Sequence, residues 1–244
     1  MSKNNSNNNG KYPIQMDQVR ACVMYLLAEL GELAILEVES CGSYFLTEMT
    51  FVNKLFELAN LLRIDIVESI KAKMIINKRK YPIDACHGKI DKYTAYSKST
   101  HITKHAGQSL TAISGNKIFL GDKQNTISGY NEASAGIYLE ILTFSKDRDW
   151  DKFNTKRNLL LAIATEVGEL CELFQWEEDK AKTIDSMGKK WDKAASEIAD
   201  IFIYMVKLRR QFLPIAIEDV QDVFDAENKE DKQIIPDITI SGEQ

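Results

Sequence analysis

Apolar residues recur at spacings of three and four through most of this chain, the repeat of a single buried helix face. The first run, from Met16 to about Val38, puts Val19, Cys22, Val23, Leu26, Leu27, Leu30, Leu33 and Ala34 on one stripe. A break at Ser40, Gly42 and Ser43 follows. A second helix is predicted from about Leu46 to Leu62, on Phe51, Leu55, Leu58, Leu61 and Leu62. A third runs from Val67 to Lys80 and stops before Pro82, which lacks the N–H a helix interior needs. The pattern then lapses. His87 to Ala135 is polar, with scattered Ser, Thr, Gly and Asn, and reads as a linker or insertion. Its short apolar patch, Ile118–Leu120, is the one segment there that could pair as a strand. Helical periodicity resumes at Ala135–Lys146, Thr155–Trp176, Lys189–Arg210 and Pro214–Asn228. Strand signals are nearly absent, so the expected fold class is all-α, with helix faces suited to a bundle.

Two of these helices carry charge inside apolar surroundings. In L-L-L-A-I-A-T-E-V-G-E-L-C-E-L-F-Q-W, Glu166 and Glu169 are three residues apart. In A-S-E-I-A-D-I-F-I-Y-M-V-K-L, Glu197 and Asp200 repeat that spacing. Residues at i and i+3 share a helix face. Burying one unpaired carboxylate is costly, and four together repel. A divalent cation would remove that cost, and an all-oxygen donor set suits Mg²⁺. The plain alternative is that these acids are solvated helix-surface charges, the usual fate of Glu and Asp. A di-iron carboxylate bundle would need E-x-x-H on paired helices, and that motif does not occur.

Charge narrows the picture further. The net charge is -5 and 27% of residues are charged, which argues against a nucleic-acid polymer as partner. Small anionic substrates held through a metal remain open. The four cysteines (Cys22, Cys41, Cys86 and Cys171) form no C-x-x-C and read as reduced, mostly buried thiols. The first ten residues, M-S-K-N-N-S-N-N-N-G, are a polar low-complexity stretch without a signal-peptide core. No apolar run reaches the ~20 residues of a membrane span. The expected setting is cytoplasmic, with no membrane partner. His87, His101 and His105 lie in or beside the polar linker and are expected to be solvated.

The chain also repeats itself. R-A-C-V-M-Y-L-L-A-E-L-G-E-L from Arg20 aligns with R-N-L-L-L-A-I-A-T-E-V-G-E-L from Arg157. Arg20, Glu29, Gly31, Glu32 and Leu33 fall on Arg157, Glu166, Gly168, Glu169 and Leu170. Where the second copy has Glu197 and Asp200, the first has Thr47 and Thr50. Glu29 and Glu32 therefore read as a vestigial site. The first copy instead carries K-A-K-M-I-I-N-K-R-K-Y-P, with Lys73, Asn77, Lys78, Arg79 and Lys80. The matching part of the second copy is acidic. The expected organisation is a disordered tail at 1–15 and a degenerate repeat at 16–94. A polar linker follows at 95–135, then the repeat with the carboxylates at 136–230 and a tail at 231–244.

These residues resemble the all-α nucleoside triphosphate pyrophosphatase (MazG-like) superfamily, and within it the eukaryotic dCTP pyrophosphatases. The pattern E-x-x-E, spacer, E-x-x-D is met by Glu166, Glu169, Glu197 and Asp200. R-D-W-D-K-F-N-T-K-R-N-L (Arg148–Leu159), F-Q-W ending at Trp176 and I-Y-M at Ile203–Met205 match as well. K-M-I-I-N-K-R-K-Y-P, followed by K-Y-T at Lys92–Thr94, resembles the family's C-terminal segment. The chain departs from the family in order, because the carboxylates lie in the second copy and the basic segment in the first. Ile75 replaces the family's Asp two residues before Asn77, and Asn154 stands where a His often follows D-W-x-x-F.

The resemblance implies hydrolysis of a nucleoside triphosphate, dCTP favoured, to the monophosphate and pyrophosphate, with Mg²⁺ as cofactor. It implies the family's four-helix-bundle fold, here as tandem degenerate repeats, with Glu166, Glu169, Glu197 and Asp200 as catalytic metal ligands, or with one of them, such as Glu166, instead orienting or deprotonating the attacking water. Lys73 and Asn77 are i and i+4 and could hold the triphosphate; Lys78 and Arg79 either join them or complement the helix dipole. Trp150, Trp176 and Tyr204 are candidates for base stacking, with core packing the alternative and the better reading for Phe153. Asn154 either meets the base edge or caps the next helix. Arg157 and Asn158 either touch phosphate or anchor the helix. The two copies would form a pseudo-dimer with one composite site, unless the basic segment acts from another chain in an oligomer. A broader-specificity pyrophosphatase and a non-catalytic nucleotide-binding relative are the remaining alternatives.

Overall fold

The computed structural model describes residues 13–39, 44–91 and 127–212. They form a strand β1 (Ile14–Gln15), then helices α1 (Met16–Glu39), α2 (Tyr44–Leu62), α3 (Ile66–Lys80) and α4 (Ile83–Cys86). The second part holds α5 (Ile127–Asp147), a 3-10 turn at Asp151–Phe153 and α6 (Lys156–Phe174). After these come strand β2 (Ala181–Lys182), α7 (Ile184–Met187) and α8 (Lys189–Phe212). The fold class is all-α, as the periodicity predicts.

The helix ends follow local chemistry. Asp65 caps α3, its side chain accepting the Glu68 N–H at 3.1 Å. Lys78, Arg79 and Lys80 fill the last turn of α3, where cations meet the negative end of the helix dipole, and Pro82 stops continuation. Thr155 caps α6 by accepting the Asn158 N–H at 3.2 Å. Between α2 and α3 the chain turns at Arg63, which adopts a left-handed φ of 56°.

Helix α8 occupies the centre. Trp191, Ala194, Ala195, Ile198, Ile201, Phe202, Met205 and Leu208 are all buried along it. A helix apolar on most sides belongs in a core, and α8 is packed by α6, α3, α2 and α5. Small residues Ala194, Ala195 and Ala199 let neighbours approach closely. The two halves of the chain share one core: Leu26, Leu33, Phe51 and Leu55 join Ile163, Val167, Leu170 and Phe202. The Trp191 indole donates to the Leu62 carbonyl at 2.7 Å, tying α8 to the end of α2.

Helices α1 and α6, which carry the matched sequences, pack on each other. Arg20, near the start of α1, donates to the Glu177 carbonyl (3.0 Å) and the Asp179 carboxylate (2.6 Å) just past α6. Arg157, near the start of α6, lies 3.6 Å from Glu37, near the end of α1. The matched arginines thus make reciprocal start-to-end contacts, and the two helices run antiparallel.

Three expectations change. Residues 14–15, assigned to a disordered tail, pair as β1 with β2, Ile14 opposite Lys182 and Gln15 opposite Ala181. Two-residue strands are too short to leave a periodic pattern. Helix α5 starts at Ile127, eight residues before the predicted start at Ala135 and within the assigned linker, because Ser128, Gly129, Asn131 and Ser134 dilute its apolar stripe. Helix α6 ends at Phe174 rather than Trp176. The predicted helix Pro214–Asn228, the patch Ile118–Leu120, His101, His105, Cys41 and both end tails up to Tyr12 and from Leu213 lie outside the described residues. His87 is exposed at the end of α4. Cys22 and Cys86 are buried free thiols and Cys171 is partly buried. No described helix is long and apolar enough to cross a membrane.

One buried acid stands apart from the rest. Glu48 on α2 is 2% exposed, and one of its carboxylate oxygens has no hydrogen-bond partner. Burial pushes its pKa up, against the pull of Arg209 at 3.7 Å. The unfolded chain therefore ionises Glu48 at lower pH than the folded one, so this group's contribution to stability falls as pH rises above the ordinary carboxylate range. Glu48→Gln is expected to melt a few degrees above wild type at pH 8 and close to it at pH 4, as read by calorimetry (about 2–4 °C per kcal/mol for this chain length).

Candidate functional site

The site lies where α6, α8 and α3 meet. Glu166 and Glu169 lie one turn apart on α6, and Glu197 and Asp200 one turn apart on α8. Glu166, Glu169 and Glu197 each bring a carboxylate oxygen to within 4.8 Å of the others. Asp200 has a different partner: the Lys73 ammonium of α3 forms an ion pair with it and donates to the Ser196 hydroxyl at 2.6 Å. The lysine from the first half thus meets the acids of the second within a single chain.

Burial and mutual repulsion shape the electrostatics. Desolvation, with the charges of Asp200, Glu197 and Glu169, pushes Glu166 up to about 8, opposed by Lys73. Glu197 is also raised, chiefly by burial. Burial alone would lower Lys73, but Asp200, Glu197 and Glu166 outweigh it and hold its pKa above the ordinary lysine range. Lys80, partly buried and close to Lys73, is lowered. The cluster holds more negative charge than Lys73 neutralises. Its donors are all oxygens, converging from two helices, and this fits a hard divalent cation such as Mg²⁺ on Glu166, Glu169 and Glu197.

A cleft of about 500 Å³ opens on this cluster, within the range of small-molecule sites. Asn77 lines it one turn beyond Lys73. Its other wall is apolar and aromatic, formed by Tyr81, Ile141, Phe144, Trp150, Ile203 and Tyr204. Trp150 is held rigidly. Its indole N–H donates to the Lys89 carbonyl at 2.7 Å and approaches that of Cys86 at 3.3 Å. Its ring meets Tyr81 and Phe144 edge-on at 5.1 and 5.7 Å. Asn154 also lines the cleft, with its amide 3.4 Å from the Ser145 hydroxyl. Burial and the nearby Asp200 and Glu166 raise the Tyr204 phenol well above its usual range.

Other candidates lie elsewhere. Trp176 is 88% exposed: it follows the end of α6, about 10 Å along the helix from Glu169 at 1.5 Å per residue. Arg157 lies in the first turn of the same helix, about 13 Å from Glu166 on that measure, with an exposed side chain against Glu37. Asn158 donates to the Phe153 carbonyl at 2.9 Å and anchors the entry to α6. Phe153 does not line the cleft; Lys152 lies over its ring. Lys78 pairs with Glu140 at 2.6 Å, and neither it nor Arg79 lines the cleft. Glu32 is exposed and Glu29 half-buried on α1, and Thr47 and Thr50 on α2 add no charge.

Several lining residues were missed from the sequence, among them Lys80, Asp91, Phe144, Ser196 and Lys207. Lys207 follows Asp200 by seven residues, two turns along the same face of α8, and that spacing was the available signal. Burial pushes its ammonium down to about 8, with Asp200 and Asp151 opposing.

The described residues define an all-α protein whose cleft combines an acidic cluster, a buried lysine and an aromatic wall. Human dCTP pyrophosphatase 1 is 41% identical over 85 residues, 33% of this chain and 49% of that protein. The dCTP pyrophosphatase 1 proteins of Bos taurus and Rattus norvegicus are each 46% identical over 67 residues, 27% of this chain and 39% of theirs. The chain therefore spans half or less of the length of the curated relatives it matches. No family model and no solved structure matches it. The resemblance to eukaryotic dCTP pyrophosphatases drawn from the motifs is borne out by these relatives.

Two measurements test the cluster. Mg²⁺ is expected to raise the melting temperature of the wild type and of Glu29→Gln but to have little effect on Glu197→Gln; an unresponsive wild type would sink the metal assignment. Lys73→Met strands Asp200 without its counter-charge and should cost about 3–5 kcal/mol in urea unfolding.

Proposed function

We propose that this chain is a Mg²⁺-dependent pyrophosphatase that hydrolyses dCTP, including modified dCTP, to dCMP and pyrophosphate and so cleans the nucleotide pool. The observation that carries this reading is the meeting of Glu166, Glu169 and Glu197 with the Lys73–Asp200 pair in one aromatic-walled cleft. The identity to dCTP pyrophosphatases supports the choice of substrate.

Glu166, Glu169 and Glu197 would hold Mg²⁺, which when bound offsets triphosphate charge and makes a water more acidic. Lys73 and Asn77, one turn apart on α3, face the phosphates; Lys73 adds a charge-assisted donor. Trp150 and Tyr204 offer faces for the base. Glu166 borders the position of the attacking water and takes its proton. The water oxygen bonds to the α-phosphorus as the bond to the bridging oxygen breaks, and pyrophosphate leaves with the electron pair.

The two sequence copies act as a pseudo-dimer with one composite site, the first supplying α3 and the second α6 and α8. The reciprocal contacts of Arg20 and Arg157 support this reading. The first copy's acids are vestigial. A nucleotide-binding protein without turnover is the second reading, favoured by Ile75 in place of the family's Asp.

Pyrophosphate release from a panel of nucleoside triphosphates, with and without Mg²⁺, tests the proposal. Turnover of dCTP to dCMP that needs Mg²⁺ is expected. Glu197→Gln should abolish it and Glu29→Gln should leave most of it. A folded wild type that turns over no nucleotide but still binds one would favour the second reading.

A further inference from the structure

Lys207 has no role in the chemistry above, yet its position is unusual. It is 7% exposed, and it makes no hydrogen bond or ion pair with any described residue. Its ammonium lies 5.2 Å from the centre of the Tyr204 ring and lines the cleft. Lysine is almost never fully buried unless paired, and an ammonium has three donors and no acceptor. Lys207 has no described acid within ion-pairing distance and its ammonium reaches the cleft, so a ligand seated there can supply an acceptor in place of solvent.

The position along α8 says which part of a ligand that is. Glu197 and Asp200 mark the polar end of the cleft, and Lys207 lies two turns further, about 10 Å at 1.5 Å per residue. Between them stands Tyr204, and beside them the aromatic wall of Phe144 and Trp150. A nucleotide with its phosphates at the acidic end would reach this depth with its base.

We propose that Lys207 is a specificity-determining residue that donates a hydrogen bond to an acceptor of the nucleobase, a ring carbonyl oxygen or ring nitrogen. This rests on the nucleoside triphosphate reading of the same site. Lys207 then distinguishes a nucleotide from a bare polyphosphate. It also disfavours a base turned with an exocyclic amine toward α8, because two donors would face each other.

Calorimetric binding of two probes in the presence of Mg²⁺ tests the assignment: the α,β-imido analogue of dCTP and inorganic tripolyphosphate. Lys207→Met is expected to weaken the analogue by about 10–100-fold, the loss expected for a hydrogen bond to a charged group. Tripolyphosphate should bind within about twofold of wild type, since its contacts lie at the acidic end. Lys207→Gln keeps a neutral donor and should lose less than Lys207→Met. Retained tripolyphosphate binding shows that a variant is folded. Equal losses for both probes in the milder Lys207→Gln, or unchanged affinity for the analogue in Lys207→Met, would overturn the proposal. A wild type that binds tripolyphosphate but no analogue would overturn the nucleotide reading itself, a failure visible before any mutant is made.

Discussion

The rest of this structure is arranged around a repulsion. Three carboxylates whose oxygens lie within 4.8 Å of one another cost on the order of 3 kcal/mol per ionised pair at an effective dielectric near 20, before screening by water at the exposed Glu169. Helices α6 and α8 must hold them together regardless, and they do so with apolar packing on their remaining faces. Lys73 relieves part of the strain by pairing with Asp200. This requires α3 to lie along α8, and the buried Ile70, Met74 and Ile76 of α3 hold it in the core. The cluster is thus an imbalance that the core makes tolerable and a cation would remove.

The acids were legible because a helix converts sequence spacing directly into shared faces. E-x-x-E and E-x-x-D each read as one turn without knowledge of the tertiary fold. Lys73 and Asn77 were legible in the same way, as a pair on α3. Their meeting with acids roughly ninety positions further along the chain came only from the resemblance, with a second chain as the alternative, because helix–helix packing and not spacing decides it. Arg157 and Trp176 show the opposite error. Both flank the E-x-x-E motif in sequence, but Arg157 stands in the first turn of α6 and Trp176 past its last, and closeness along the chain became distance in space. Lys207 was hidden differently: a single cation in an apolar run draws little notice until its phase relative to Asp200 is counted.

The same reasoning applies to the architecture. The long stripes on α1, α2, α6 and α8 announced an all-α fold. The β1–β2 pair left no pattern, yet it joins the residues before α1 to the connection between α6 and α8. With the Trp191–Leu62 hydrogen bond and the reciprocal Arg20 and Arg157 contacts, it links the two halves of the chain at several separate points. Of these the exposed Arg157 contact is the weakest, since solvated ion pairs contribute little. The shared apolar core carries most of the association.

Drawing the lysine from one half and the acids from the other has a consequence for quality control. Neither half holds a balanced cluster alone, so an opening that lifts α3 from α8 removes the counter-charge and dismantles the cleft in one event. The geometry of this cleft therefore depends on the integrity of both halves of the molecule. Damage far from the acids, anywhere that loosens α3, reaches the cleft as directly as a change within it.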